Sequence, residues 1–173
     1  MKFWLIVLLF FSSSVIQAEE FSDLFRAALS GNSARLESLL AQGLDVNGKT
    51  PSGRTALMAA SFNGNLRVVK LLLNYGADVN LKDKAGDTAL MDAVRFADEQ
   101  LVKTLIAAGA DVNAVDNNGL TILARAKNMT TAPVIKLLED AGAKETLEPE
   151  KPQGQAEGEA DNKTDKKEDK NGD

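Results

Sequence analysis

Apolar and polar positions along this chain return in step every 33 residues. Leu24, Leu57, Leu90 and Leu123 share one place in that interval, and Ala27, Ala60, Ala93 and Ala126 a second. Leu39, Leu72, Leu105 and Leu138 share a third, and Gly43, Gly76, Gly109 and Gly142 a fourth. Each interval holds a short apolar stretch, a break, and then Leu, Val or Ile at i, i+3, i+4 spacing, as in Val69, Leu72, Leu73 and again in Val102, Leu105, Ile106. That pattern predicts a helix, a turn and a second helix with one buried face. The glycine that follows supplies the left-handed conformation that ends the second helix. Asp78-Val79-Asn80 and Asp111-Val112-Asn113 then open connectors whose side chains bond their own backbone. A unit this short cannot bury its apolar face alone, so successive units must stack.

The likeness is closest between Gly53-Arg54-Thr55-Ala56-Leu57-Met58-Ala59-Ala60 and Gly86-Asp87-Thr88-Ala89-Leu90-Met91-Asp92-Ala93. Together with Asp83 to Leu90 and Val68 to Asn80, these residues resemble the ankyrin repeat, and the resemblance covers about Phe21 to Lys144. It implies an all-α ankyrin-repeat solenoid of four helix-turn-helix repeats joined by short β-hairpin connectors. The repeats are expected at about 21–49, 50–82, 83–115 and 116–144. One departure recurs. Where the family has Thr-Pro-Leu-His, this chain has Thr55-Ala56-Leu57-Met58, Thr88-Ala89-Leu90-Met91 and Thr121-Ile122-Leu123-Ala124. The His that ties neighbouring hairpins in that family is therefore missing throughout. The end repeats are atypical, as expected where one flank meets water. The first lacks the hairpin, and the last has Thr130 at a place the family prefers to fill with Gly. Thr131 and Pro133 are placed to cap and open the last helix.

Residues 1–18 do not belong to this pattern. Lys2, the apolar run from Phe3 to Phe11, three serines and the small Ala18 ahead of Glu19-Glu20 have the parts of a cleavable signal peptide. The run is about half of the roughly 20 residues a membrane span needs. A periplasmic or secreted protein without stable membrane insertion is expected, its folded domain lying within 19–144. With no Cys in the sequence, that domain stands on packing alone, which suits a Gram-negative periplasm.

Charge is unevenly distributed. Residues 145–173 carry ten Asp or Glu and five Lys, with no aromatic or β-branched apolar residue. Such a segment buries too little surface to offset its ordering entropy and reads as a disordered tail. Residues 19–144 carry 15 acidic and 14 basic residues, so they present no basic field for nucleic acid.

The absence of His and Cys removes the commonest general base, the thiol nucleophile and the usual zinc ligands. No catalytic residue, cofactor or metal site is expected. Asp83 and Asp116 open hairpins and read as backbone caps, and Asp45, Asp78 and Asp111 as turn formers. No glycine cluster forms a phosphate loop.

The resemblance places the hairpin tips and the first helix of each repeat along a concave groove. One large apolar residue per repeat falls there: Leu29, Phe62, Phe96 and Met129. Either these line the groove as a partner-binding strip, where aromatics carry much of an interface's energy, or they pack down between neighbouring helices. Arg54, Lys84, Arg95 and Asp87 fall at or near the tips and would form a polar rim. Asp92 and Arg125 hold the same place in successive repeats and are expected to pair across the junction. The resemblance implies a monomer that binds another protein. Small exported members of the family restrain cell-wall hydrolases or toxin-like enzymes, or support an exported catalase. A second reading makes the solenoid and its acidic tail an envelope spacer or tether.

Overall fold

The computed structural model describes residues 21–145. The export signal expected at 1–18 and the tail from 146 onward lie outside the described residues. Eight helices follow one another as four pairs among the described residues. They are α1 (21–29), α2 (Ser33–Ala41), α3 (Ala56–Phe62), α4 (Leu66–Asn74), α5 (Ala89–Val94), α6 (Glu99–Ala107), α7 (Ile122–Met129) and α8 (Ala132–Asp140).

The three registers of Leu and Ala are the core. Every one of those twelve side chains is buried, and each Leu taken out of water contributes roughly 1.5–3 kcal/mol. α3, α5 and α7 stack in one layer, and α2, α4, α6 and α8 in another. The first layer is lined by Ala56, Ala59, Ala60, Ala89, Ala93 and Ala126, so its helices approach more closely than the Leu- and Val-bearing second helices do. Closer spacing in one layer bends the stack toward it, so the first helices line the inner side.

Local chemistry sets the element ends. Thr55, Thr88 and Thr121 are extended, and their hydroxyls accept from the N–H of Met58, Met91 and Ala124 at 3.3, 3.4 and 3.2 Å. Met58 stands where the family has His, and its Sδ accepts from the Thr55 N–H at 3.4 Å, closing the cap from the other side. After the second helices, Gly43, Gly76, Gly109 and Gly142 all have φ between 82° and 89°. The N–H that follows each returns to a carbonyl five residues back, such as Ala77 to Leu72 at 3.0 Å. Thr131 stands at the cap of α8 with extended backbone, but its side chain makes no capping bond there. Pro133 lies in the first turn, as expected.

The connectors close as turns rather than as paired strands. Thr50, Asp83 and Asp116 donate their N–H groups to the carbonyls of Arg54, Asp87 and Leu120. The Val115–Thr121 bridge is the β-type pairing found among the described residues. Asp83 Oδ1 accepts from Ala85 and Asp87, and Asp116 Oδ1 from Asn118 and Leu120, at 2.8–3.0 Å, so both cap backbone amides. Two ladders tie repeats where the family's His is missing. Asn47, Asn80 and Asn113 accept from the N–H of Asp78, Asp111 and Lys144 in the following turn. Lys49 Nζ donates to the Lys82 carbonyl at 3.1 Å, and Lys82 Nζ to that of Val115 at 2.8 Å.

Candidate functional site

Two aromatic rings meet where the middle repeats turn from first helix to second. Phe62 ends α3, and Phe96 lies two residues past the end of α5, in the turn that follows it. Their ring centroids are 5.5 Å apart at 84°, an edge-to-face contact, an arrangement worth about 0.5–1.5 kcal/mol beyond area burial. Phe62 is half-buried, whereas Phe96 is 51% exposed. The guanidinium of Arg54 sits 5.7 Å from the Phe62 centroid and that of Arg95 5.4 Å from it. Each such cation–aromatic contact adds roughly 0.5–1 kcal/mol at an exposed site.

The two arginines are held differently. Arg54 is anchored from behind, by Asp92 at 2.5 Å and Asp83 at 3.6 Å. Arg95 is exposed and reaches the ring from the end of α5. The result is a preset patch of aromatic edge, aromatic face and outward guanidinium. It can seat an apolar side chain next to an acidic one.

The remaining members of the predicted strip flank this patch. Leu29 is half-buried against the core and lines an open cleft of about 610 Å³ with Asp23, Arg26, Arg35 and Asn63. The Asn63 side-chain amide donates to the Leu29 carbonyl at 2.5 Å, linking the first two repeats at this level. Met129, 55% exposed, ends α7. Lys84 is exposed at its hairpin tip, where its N–H bonds the Ser52 carbonyl and its carbonyl accepts from Asn117.

Two expectations are corrected. Asp92 and Arg125 do not pair with each other. Each reaches instead to the hairpin of the preceding repeat, Asp92 to Arg54 and Arg125 to Asp87 at 2.7 Å. Equivalent places on adjacent helices project in parallel, so the partner of each is the residue 38 positions earlier and not the one 33 away. Asp87 is consequently drawn inward to Arg125, and holds the stack together rather than forming part of an exposed rim. Arg125 also takes Asp116 at 2.9 Å. Burial works against the charge on Arg125, but Asp87 and Asp116 outweigh it and push its pKa up. Burial likewise pushes the Asp116 carboxyl up. The N–H groups of Leu120 and Asn118, with Arg125, overcome that and leave it below the usual carboxylate range.

The two 38-residue pairs were the signal that repeat alignment alone passes over, since it compares like places rather than facing ones. Tyr75, 47% exposed at the end of α4, is an outer-layer aromatic that the groove pattern did not include. No helix among the described residues is long and apolar enough to cross a membrane.

A family model describing ankyrin repeats, in three copies, matches residues 24–116, more than half of the chain. No curated protein matches the chain.

Proposed function

The chain belongs to the ankyrin repeat family, whose repeats make it a protein–protein interaction module. From that premise we propose that it is exported to the periplasm and grips a partner enzyme in the trough along its first helices, restraining or protecting it. It acts by binding rather than by catalysis. The observation carrying this reading is the Phe62–Phe96 contact with its two arginines. Phe96 remains half in solvent although the core beneath it is complete. Aromatic and Arg side chains in such settings are the usual anchors of an interface, at about 2 kcal/mol or more each. Export is supported by the leader pattern and by a fold that needs no disulfide.

The test is recovery of partner from periplasmic extract by immobilised wild type, Phe96→Ala and Phe62→Ala/Phe96→Ala, with Tyr75→Ala as the outer-layer control. Losing one anchor reduces affinity by ~30-fold at 2 kcal/mol. Both groove variants are therefore expected to lose the partner that Tyr75→Ala retains. Equal recovery by all four proteins, each folded by circular dichroism, overturns the reading.

A further inference from the structure

Charges from each hairpin through the following first helix sort by burial. Asp83, Asp87, Asp92 and Asp116 are drawn inward, onto Arg54, Arg125 or backbone N–H groups. Lys49, Lys82, Lys84, Arg95 and Lys127 stay exposed. The repeats are almost neutral as a whole, yet this face shows cations to solvent.

The chain also leaves the last repeat on this side. The Lys144 N–H bonds Asn113 at 2.9 Å, as an internal repeat would. The Thr121 hydroxyl, at the start of α7, then donates to the Glu145 carbonyl at 2.9 Å. The Glu145 carboxylate meets Lys127 of α7 at 2.6 Å. The first acid of the acidic segment is thus already on a cation of the first-helix layer. Residues 146–173 follow, with nine Asp or Glu against five Lys.

We propose that residues 146–173 lie back along the cationic first-helix face of their own chain, setting carboxylates over Lys84 and Arg95 and covering the Phe62–Phe96 pair until a partner displaces them. This rests on the reading of that face as the binding site and adds an internal competitor to it. Reach is sufficient. Adjacent helices in a layer stand about 8–10 Å apart, so α7 to α3 is roughly 20 Å. A random coil of about 12–16 residues spans about 17–24 Å on average. Glu157, Glu159 and Asp161 lie 12 to 16 residues past Glu145. A linker whose average length matches the span holds its end at millimolar effective concentration. Exposed ion pairs are weak singly. At that concentration several together occupy the face, and salt releases them.

Because the chain has no Cys, Thr164→Cys provides one site for a nitroxide label, and backbone amide signals report which surface the label visits. Amides of α3 and α5 are expected to broaden at least twofold more than those of α4 and α6. The difference should vanish near 0.5 M NaCl, where screening is a few ångströms. It should also vanish in Lys82→Glu/Lys84→Glu/Arg95→Glu, and in Glu157→Gln/Glu159→Gln/Asp161→Asn, which leaves the repeats untouched. Equal broadening of the two layers, broadening confined to residues near 140–145, or persistence in the tail-neutralised variant overturns the proposal. Partner recovery that still depends on Phe62 and Phe96 would then leave the groove intact without its competitor. Loss of that dependence, with the broadening retained, would remove the groove reading instead.

Discussion

Asp92 carries a carboxylate into the first-helix layer with one oxygen unanswered. Its Oδ2 meets Arg54 at 2.5 Å, while Oδ1 is buried without a hydrogen-bond partner. Burial is the largest influence on it. Arg54 pulls the other way, Asp87 adds repulsion, and Arg95 is a minor attraction, so the pKa is raised to about 6. The sign of the linkage follows. A folded-state pKa above the unfolded value means that the folded state holds the proton more tightly, so this contribution is full below about pH 4 and is lost as pH rises through about 6. Asp116, with its pKa lowered, works in the opposite sense, and its contribution is lost only as pH falls below the ordinary carboxylate range. Between pH 5 and 7 the Asp92 effect therefore stands alone among these two, at about 1 kcal/mol. Urea unfolding should show wild type losing about that much across the interval, and Asp92→Asn losing almost none. An undiminished slope in Asp92→Asn would assign the pH dependence to another group.

At the scale of the helix pair, the junctions between repeats are wired by facing residues of alternating sign. Arg54 and Asp87 hold one place in successive repeats, and Asp92 and Arg125 hold the facing place, so one junction reads Arg to Asp and the next Asp to Arg. Arg125 serves two carboxylates, Asp87 and Asp116, and is itself buried. Removing one partner from such a cluster leaves charge buried and unmatched, at a cost of about 3–5 kcal/mol. Arg125→Met should lose that much by urea unfolding. Lys103→Met, which breaks the exposed Lys103–Glu99 pair on α6, should lose less than about 1 kcal/mol. Equal losses would show that burial does not decide these pairs. Helices, their glycine caps and the buried Leu and Ala registers were all legible in the chain, because each depends on neighbours within one interval or on strict recurrence. The Asp83 and Asp116 caps were legible for the same reason. The Thr caps were not, since the one expected, at Thr131, makes no capping bond, and those at Thr55, Thr88 and Thr121 went unread. The 38-residue pairing was not, because it depends on how far a side chain leans toward the preceding hairpin. The candidate site was legible as a list of large residues near one turn. Which of them touch was hidden, because Phe62 and Phe96 fall one position out of register, so aligning like places does not pair them although their rings meet edge to face.

Across the whole molecule, the alternating signs record the order of the repeats. A stack held only by Leu and Ala registers would accept its units in any sequence, since those registers are the same in all four. The charged places differ at each junction. The first junction has Phe21 and Ala59 there, the second Arg54 and Asp92, and the third Asp87 and Arg125. Setting the second repeat directly against the fourth would bring like charges, Arg54 and Arg125, together in a buried layer. Repeat stacks respond to loss of an internal unit mainly through the junctions broken and made, so this can be tested by excision. Removing residues 83–115 joins the second repeat to the fourth and faces Arg54 with Arg125, with Asp116 standing where Asp83 stood. Two guanidiniums then share one carboxylate in place of the native balance. Adding Arg125→Asp to the excised chain rebuilds the second junction in kind: Arg54 against an acid at the facing place, with Asp116 in support. The doubly altered chain should be the more stable by on the order of 2–4 kcal/mol, although the same Arg125→Asp change in the full-length chain sets three carboxylates together and should be strongly destabilising. Urea midpoints of the four proteins measure both effects. If Arg125→Asp destabilised the excised chain as much as the full-length one, the charges would be local supports with no part in setting which repeats can meet.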